Sequence, residues 1–219
     1  MNFTIVLISS LLFTLCAPAQ EKALTIGLIG DSTVANTYGW GPSFASLVSE
    51  KATVLNFAKN GATLQSLSTR LDELLKKNPN YVLIQFGHND QKKYSAEAYR
   101  GKLASYVDRV EKSGSKAVIL SSVTRRNFDD KGHIQPVKAS NHPSSLPLNA
   151  KAAGAVAKLK KVPFLDLYAL SVAHHNEIGP DKSASYNFDE NDRTHFSKKG
   201  ADAIASLILT ELRVIIPGL

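Results

Sequence analysis

The sequence predicts an α/β protein, built as a three-layer α/β/α sandwich around a five-stranded parallel sheet. Two observations predict this class. Five short runs rich in Val, Ile, Leu and Phe alternate with longer segments whose apolar residues recur at helical spacing. Three of these runs end in polar loops that contain glycine, and parallel strands gather such loops along one edge of the sheet, where open α/β folds bind their ligands.

The expected elements follow in chain order. The first strand is the apolar run that begins at Leu24 and stops at Gly30-Asp31-Ser32-Thr33. The later strands are expected at residues 53–57, 81–86, 116–123 and 162–167. Helices are expected at residues 42–51, 64–77, 95–113, 148–161, 168–177 and 198–214. In the first helix, Phe44, Leu47 and Val48 are expected on one buried face.

Helix ends and loops support these boundaries. Ser95, Asp166 and Ser197 each stand where the N-cap of an expected helix belongs, and Gly114 is a typical C-terminal stop. The segments 124–147 and 178–197 have no apolar period. Proline-broken loops as long as 124–147 are uncommon inside compact domains unless they serve a site or are mobile.

Size and charge exclude some classes of protein. A chain of 219 residues, 43% hydrophobic and 21% charged, is expected to form one domain over residues 20–219, as a monomer. The net charge is +7, and the lysine pairs are scattered and not interleaved with aromatic residues. This pattern argues against a nucleic-acid platform.

The N-terminus predicts an export signal over residues 1–19. Residues 3–15 are uncharged and apolar, too few to span a bilayer, and Ala17-Pro18-Ala19 fits a signal-peptidase site. The mature protein is therefore expected to be secreted or periplasmic, off the membrane and without cysteine. The alternatives are a retained N-terminal anchor, and lipid attachment at Cys16, which the bulky Leu15 disfavours.

Ser32 is the candidate nucleophile, because its hydroxyl is expected at the carboxyl end of the first strand. A serine hydroxyl is weak at neutral pH, so it needs a general base and a group that orients the base. Asp192 and His195 are three residues apart in one loop, and in a turn such residues can face the same way. The sequence thus offers Ser32 as nucleophile, His195 as base and Asp192 as orienting group.

The oxyanion of an acyl-transfer reaction needs hydrogen-bond donors. The loops that follow the second and third expected strands supply candidates. Gly61 has no Cβ, so its backbone N–H can approach a developing negative charge closely. The side-chain amide of Asn89 and the backbone N–H of Ser32 are the other expected donors.

The four sequence blocks that contain Ser32, Gly61, Asn89 and His195, in this order, resemble the GDSL or SGNH hydrolase superfamily. The blocks of that superfamily contribute Ser, Gly, Asn and His. The surrounding residues resemble the rhamnogalacturonan acetylesterase group of carbohydrate esterases more closely. The matching stretches are Gly30-Asp31-Ser32-Thr33, Gly39-Trp40-Gly41, Phe86-Gly87-His88-Asn89-Asp90, Thr124-Arg125-Arg126 and Asp192-Arg193-Thr194-His195-Phe196. The resemblance implies a flavodoxin-like fold, a Ser32-Asp192-His195 triad and an oxyanion hole of Ser32, Gly61 and Asn89. It also implies removal of acetyl groups from pectic polysaccharide with no cofactor and no metal.

Candidate substrate contacts are Trp40, His88, Arg125 and Arg126. Trp40 and the nearby Tyr38 are candidates for stacking on sugar rings, although a loop tryptophan more often anchors its loop to the core. Basic residues near the catalytic edge can steer a polyanion such as galacturonan. Simple solvation of these charges is an alternative. His174 and His175 are expected on a helix surface rather than as metal ligands.

Alternative functions stay open at this point. A deacetylase of xylan or another neutral glycan fits the same triad, since only the charge argues for a pectic substrate. A lipase or thioesterase of the same superfamily is a second alternative, although residues 124–147 are too polar for an apolar lid. A catalytically inactive carbohydrate-binding protein on this fold is a third.

Overall fold

The computed structural model describes residues 24–136 and 141–219. The expected signal peptide at residues 1–19, with Cys16, lies outside the described residues. Among the described residues, no helix combines the length and the apolar character that crossing a membrane requires.

Five parallel strands form one sheet in the order β2-β1-β3-β4-β5. The strands are β1 at Leu24–Gly30, β2 at Ala52–Asn56, β3 at Tyr81–Gln85, β4 at Lys116–Leu120 and β5 at Phe164–Leu165. Their register places Ile26 of β1 beside Tyr81 of β3, and Tyr81 beside Lys116 of β4. The predicted five-stranded parallel sheet is confirmed.

Helices cover both faces of the sheet. They are α1 at Gly41–Leu47, α2 at Ser68–Leu75, α3 at Ala96–Lys112, α4 at Leu146–Lys160, α5 at Leu167–Ala184 and α6 at Lys198–Ile215. One hydrophobic core includes Leu28 with residues of α1 and α6, and the other includes Ile29 with residues of α2, α3 and α4. Neighbouring residues of one strand therefore serve opposite cores, which explains why the strands read as continuous apolar runs. The three-layer α/β/α sandwich is confirmed.

The predicted helix caps are confirmed by hydrogen bonds. The Ser95 hydroxyl accepts from the backbone N–H of Ala98, and the Ser197 hydroxyl accepts from that of Gly200. The Asp166 carboxylate accepts from the backbone N–H of Ala169 and so caps α5. The Ser197 cap fixes the start of α6 and therefore the end of the loop that precedes it.

Several details of the helices differ from the predictions. Helix α1 ends at Leu47, which is 48% exposed rather than buried. Helix α2 begins at Ser68, later than expected. Helix α5 continues to Ala184 across a kink at Gly179, whose φ of 77° interrupts the helix before Pro180 restarts it. His175 on α5 is fully buried, so its expected place on a helix surface is wrong.

Candidate active site

The loops that follow β1, β2 and β3 meet the loop before α6 at the carboxyl edge of the sheet. Strand β1 ends at Gly30, where a Cβ atom would lie 2.5 Å from the carbonyl oxygen of Gln85 and 2.6 Å from Val34. Only glycine allows the strands to approach this closely. The chain then turns, with the backbone N–H of Val34 donating to the carbonyl of Asp31, and this turn holds Ser32 at the sheet edge.

Ser32, His195 and Asp192 form one hydrogen-bonded chain. The Ser32 Oγ lies 2.8 Å from Nε2 of His195, and Nδ1 of His195 lies 2.7 Å from Oδ2 of Asp192. The structure therefore brings together the three residues that the sequence proposes as a triad, although 163 positions separate Ser32 from His195. The imidazole has one nitrogen on a carboxylate and the other on a hydroxyl, the arrangement that a general base needs.

Asp192 is held in its ionised form. Its Oδ1 accepts hydrogen bonds of 2.9 Å from the backbone N–H groups of Thr194 and His195. Partial burial acts to raise the pKa of Asp192, but hydrogen bonds from the backbone and ring of His195 and from Thr194 outweigh it and lower the pKa. The carboxylate is thus charged at neutral pH and orients the imidazole.

The expected oxyanion donors lie in the loops after β2 and β3. Gly61 has a φ of +72°, and a Cβ there would meet no other atom within 4 Å. Backbone conformation, rather than crowding by protein, is therefore what favours glycine at this position. The Asn89 Nδ2 donates to the carbonyl of Ala62 at 3.0 Å, which leaves its second N–H free to donate. Within residues 24–136 and 141–219, the backbone N–H groups of Ser32 and Gly61 have no protein acceptor.

The sequence of this chain matches the model of the GDSL-like Lipase/Acylhydrolase family over residues 28–203. The chain belongs to this family. The match spans all the loops that form the site, and the predicted class of enzyme, a carboxylic ester hydrolase, is confirmed by it.

Relatives of this GDSL-like hydrolase include rhamnogalacturonan acetylesterase RhgT of Bacillus subtilis (strain 168). The two chains are 33% identical over 215 residues, covering 86% of this chain and 89% of RhgT. The solved structure of YxiM from Bacillus subtilis matches with a TM-score of 0.76 and 25% identity, over 90% of this chain but only 58% of that one. The structure of Axe2, an acetylxylan esterase from Geobacillus stearothermophilus, shares the fold with a TM-score of 0.67 at 18% identity, over 86% of this chain and 94% of that one.

The prediction that Trp40 contacts substrate is wrong, because its side chain is fully buried. Its Nε1 donates to Oε1 of Gln85 at 2.8 Å, and Gln85 in turn donates to Oγ1 of Thr33 at 2.6 Å. Thr33 then donates to Oδ1 of the buried Asp31 at 2.8 Å. Trp40 therefore anchors the hydrogen-bond network beneath Ser32 and presents no ring face to a sugar.

His88 is also buried in the GDSL-like hydrolase, which contradicts its expected contact with substrate. Burial, helped by the positive charge of Arg125, lowers the pKa of His88 to about 3, so the ring is neutral. Its Nε2 lies 3.0 Å from the carbonyl oxygen of Val123. The backbone N–H of His88 donates to Oδ2 of Asp31, so this residue links the loop of Asn89 to the loop of Ser32.

Arg126 also faces the protein interior, which contradicts its expected contact with substrate. Its Nη2 donates to the carbonyl oxygen of His195 at 2.5 Å and to that of Asp192 at 3.3 Å, and its Nε donates to Asn187 at 2.6 Å. These acceptors leave Arg126 no exposed face for a substrate. Arg126 instead holds the loop of residues 192–195, called the 192–195 loop below, against the loop that follows β4.

Arg125 points elsewhere. It lines one cleft together with Asp192 and Thr194 of the 192–195 loop. It also lines a second pocket, together with its neighbour Thr124. Of the four predicted substrate contacts, Arg125 is the one that lines the cleft of Asp192 and Thr194.

The sequence missed Phe188, which is 46% exposed beside the site. Its ring meets that of Tyr38 edge to face at 4.6 Å, and the ring of Tyr38 lies 5.2 Å from the imidazole of His195. Tyr38 and Phe188 thus form an aromatic pair next to the triad. No motif surrounds Phe188, so only its contact with Tyr38 reveals its place.

Proposed function

We propose that this protein removes acetyl groups from acetylated rhamnogalacturonan through an acetyl-enzyme intermediate on Ser32. The observation that carries the proposal is the hydrogen-bonded chain from Ser32 through His195 to Asp192. A hydroxyl linked in this way to an oriented imidazole is an activated nucleophile, which suits acyl transfer.

The acylation step follows from the geometry. Ser32 Oγ attacks the carbonyl carbon of the acetyl ester, and His195 Nε2 takes the hydroxyl proton as the new C–O bond forms. The tetrahedral intermediate collapses, the bond between the acetyl carbon and the sugar oxygen breaks, and the sugar alcohol leaves with the proton from His195. Water then repeats the sequence on the acetyl-serine and releases acetate.

The tetrahedral intermediate carries a negative charge on its oxygen, and stabilising that charge is usually the largest single contribution to catalysis. The unpaired backbone N–H groups of Ser32 and Gly61 and the free N–H of Asn89 are the donors that we assign to it. Losing one such donor typically costs about 10²–10³ in rate. Asp192 stays charged and stabilises the imidazolium that forms on His195.

The pectic substrate rests on the relatives and on charge. RhgT, 33% identical over most of both chains, is a rhamnogalacturonan acetylesterase, and a second relative, YesY of the same organism, is described as a probable one. The net charge of +7 suits an acidic polysaccharide. Because such a substrate lies outside the cell, we also propose that residues 1–19 act as an export signal and that residues 20–219 form the secreted or periplasmic enzyme.

The test is acetate release by the purified protein from acetylated rhamnogalacturonan and from acetylated xylan, measured side by side. The Ser32→Ala variant is the control, with its fold checked by circular dichroism. Strong preference for the pectic polymer, lost in Ser32→Ala, supports the proposal. Equal or xylan-biased release keeps the triad and contradicts the pectic substrate, while release by Ser32→Ala contradicts the mechanism.

A further inference from the structure

We propose that the pocket beside Arg125 is a subsite for the carboxylate of a uronic acid, with the Arg125 guanidinium as its anion-binding group. This proposal rests on the function proposed above and deepens it. It assigns recognition of the acidic sugar to a place next to the triad and distinct from the groups that perform acyl transfer.

The pocket lies between the loop after β4 and the start of α4. The pocket is narrow, with a cavity volume of about 20 Å³, so it takes a small group such as a carboxylate rather than a whole sugar ring. The polar side chains that line it are Gln91, Thr124, Arg125, Gln135, His142 and Tyr168, and proline and leucine side chains complete its wall. Hydroxyl and amide groups around a single cation, with apolar surfaces between them, are what an acidic sugar requires of a binding site.

Two nitrogen atoms in the lining are buried and lack partners. Nε of Arg125 and Nδ1 of His142 have no hydrogen-bond partner among the described residues. The guanidinium of Arg125 has neither an ion pair nor a hydrogen bond with any of them, whereas Nε and Nη2 of Arg126 donate to three acceptors and only its Nη1 lacks a partner. Leaving buried polar groups unpaired is costly, so a pocket with an unpaired guanidinium favours a ligand that brings acceptor oxygens.

The position of Arg125 connects the pocket to the reaction. The same side chain lines the cleft that contains Asp192 and Thr194. The next residue donates its backbone N–H to the carbonyl oxygen of Arg193 at 3.0 Å, which ties this segment to the 192–195 loop. A sugar whose carboxylate meets Arg125 therefore has its ring close to the triad.

The chemistry of the guanidinium selects a carboxylate. Its planar donors match the two oxygens of a carboxylate in a bidentate pair, which neutral xylan cannot offer. Burial lowers the pKa of Arg125, while the carboxylates of Asp192 and Asp31 act against this effect. The group stays protonated at neutral pH, because an arginine side chain does not lose its proton in proteins.

The experiment measures binding apart from catalysis. Trigalacturonate and its fully methyl-esterified form are titrated into Ser32→Ala by calorimetry, then into Ser32→Ala carrying Arg125→Met or Arg193→Met. Arg193 is the matched control, since it is an exposed arginine that lines the neighbouring cleft together with Arg125 but does not line this pocket. We expect Arg125→Met to weaken binding of the free acid by about 10- to 100-fold, the usual range for a charge-assisted hydrogen bond. Methyl esterification should weaken it similarly, and Arg193→Met should change it little.

Each other outcome overturns the subsite. Absence of binding by trigalacturonate, equal binding of acid and ester, or unchanged binding in Arg125→Met removes the role of this guanidinium. Equal weakening in Arg125→Met and Arg193→Met assigns the effect to general positive charge. If acetate release from rhamnogalacturonan nevertheless persists in the Ser32 enzyme, the proposed function stands and this inference alone fails. If acetate release fails while Arg125-dependent binding persists, the proposed function fails and the subsite stands.

Discussion

Nη2 of Arg126 donates to the main-chain oxygen of His195 at 2.5 Å, so a buried cation holds the base of the proposed triad from behind. The same nitrogen reaches the carbonyl of Asp192, and the guanidinium carbon lies 5.0 Å from the ring centre of Phe196. Burial lowers the pKa of Arg126 to about 10, so the guanidinium is still protonated at neutral pH. Arg126 is therefore a positioning residue, since it acts through the 192–195 loop.

Replacing Arg126 should disturb chemistry more than binding. We expect Arg126→Met to lower kcat for 4-nitrophenyl acetate by about 10²-fold with little change in KM, because small displacements of a catalytic group have large effects on rate. The control is Arg193→Met, which removes the same charge from an exposed position. A folded Arg126→Met enzyme with unchanged kcat, or one with only KM altered, contradicts the positioning role.

Asp192→Asn should leave the fold intact and nearly abolish turnover. The amide no longer favours the imidazole tautomer that presents a lone pair to Ser32, and in comparable triads this change lowers kcat by about 10⁴-fold. Acetate release at neutral pH measures it. Glu190→Gln removes an equal charge from a neighbouring exposed residue and should retain activity. A mild effect of Asp192→Asn would mean that another group orients His195.

Trp40→Phe separates a structural role from sugar stacking. The substitution removes the donor to Gln85, which leaves a buried amide oxygen unpaired and costs about 1–3 kcal/mol of unfolding free energy. Urea denaturation measures this loss. We expect KM for an acetylated oligosaccharide to stay unchanged, because Trp40 has no exposed surface. A large rise in KM with unchanged stability would restore the stacking role.

Asp90 should make stability depend on pH. Its carboxyl is fully buried, Oδ1 accepts from the backbone N–H of Leu64, and Oδ2 has no partner among the described residues. Burial raises its pKa from 3.8 to about 7, and the nearby charge of Asp31 contributes to the rise. Between pH 3.8 and about pH 7, Asp90 keeps a proton in the folded state that it has lost in the unfolded state. The stability that the protonated Asp90 contributes therefore falls as pH rises and is gone above about pH 7.

Asp90→Asn tests this dependence, since the amide resembles the protonated acid and cannot ionise. Relative to the wild-type protein, the variant should gain unfolding free energy as pH rises from about 4 to about 7, by roughly 4 kcal/mol at most. Urea denaturation of both proteins across this range measures the difference. A difference that stays constant with pH would show that Asp90 titrates normally.

Much of the fold and the proposed site was predictable because both follow from local patterns. Apolar runs that end in Gly30 and in the loops of Gly61 and Asn89 place these residues at one sheet edge whatever the details of packing. The spacing from Asp192 to His195 permits a turn in which carboxylate and imidazole meet, and the structure has that contact at 2.7 Å.

Burial of polar and aromatic side chains was not predictable in the same way. Trp40 and Arg126 stand in loops, where the sequence pattern does not distinguish a side chain that faces solvent from one that faces the core. Two of the three partners of Arg126 are main-chain carbonyl groups, which carry no side-chain signal, and all three lie more than 60 residues away. The interruption of helix α5 at Gly179 agrees with the expected end at residue 177, but no pattern predicts the further helical stretch that follows Pro180.

Covalent labelling shows whether Ser32 is the residue that carries the acyl group. The protein is treated with a fluorophosphonate, and the adduct is located by peptide mass spectrometry while acetate release is followed in the same sample. The account predicts one adduct, on Ser32, formed in step with the loss of activity and absent from Ser32→Ala. Loss of activity with the adduct on another residue, or an active enzyme fully labelled at Ser32, would contradict it.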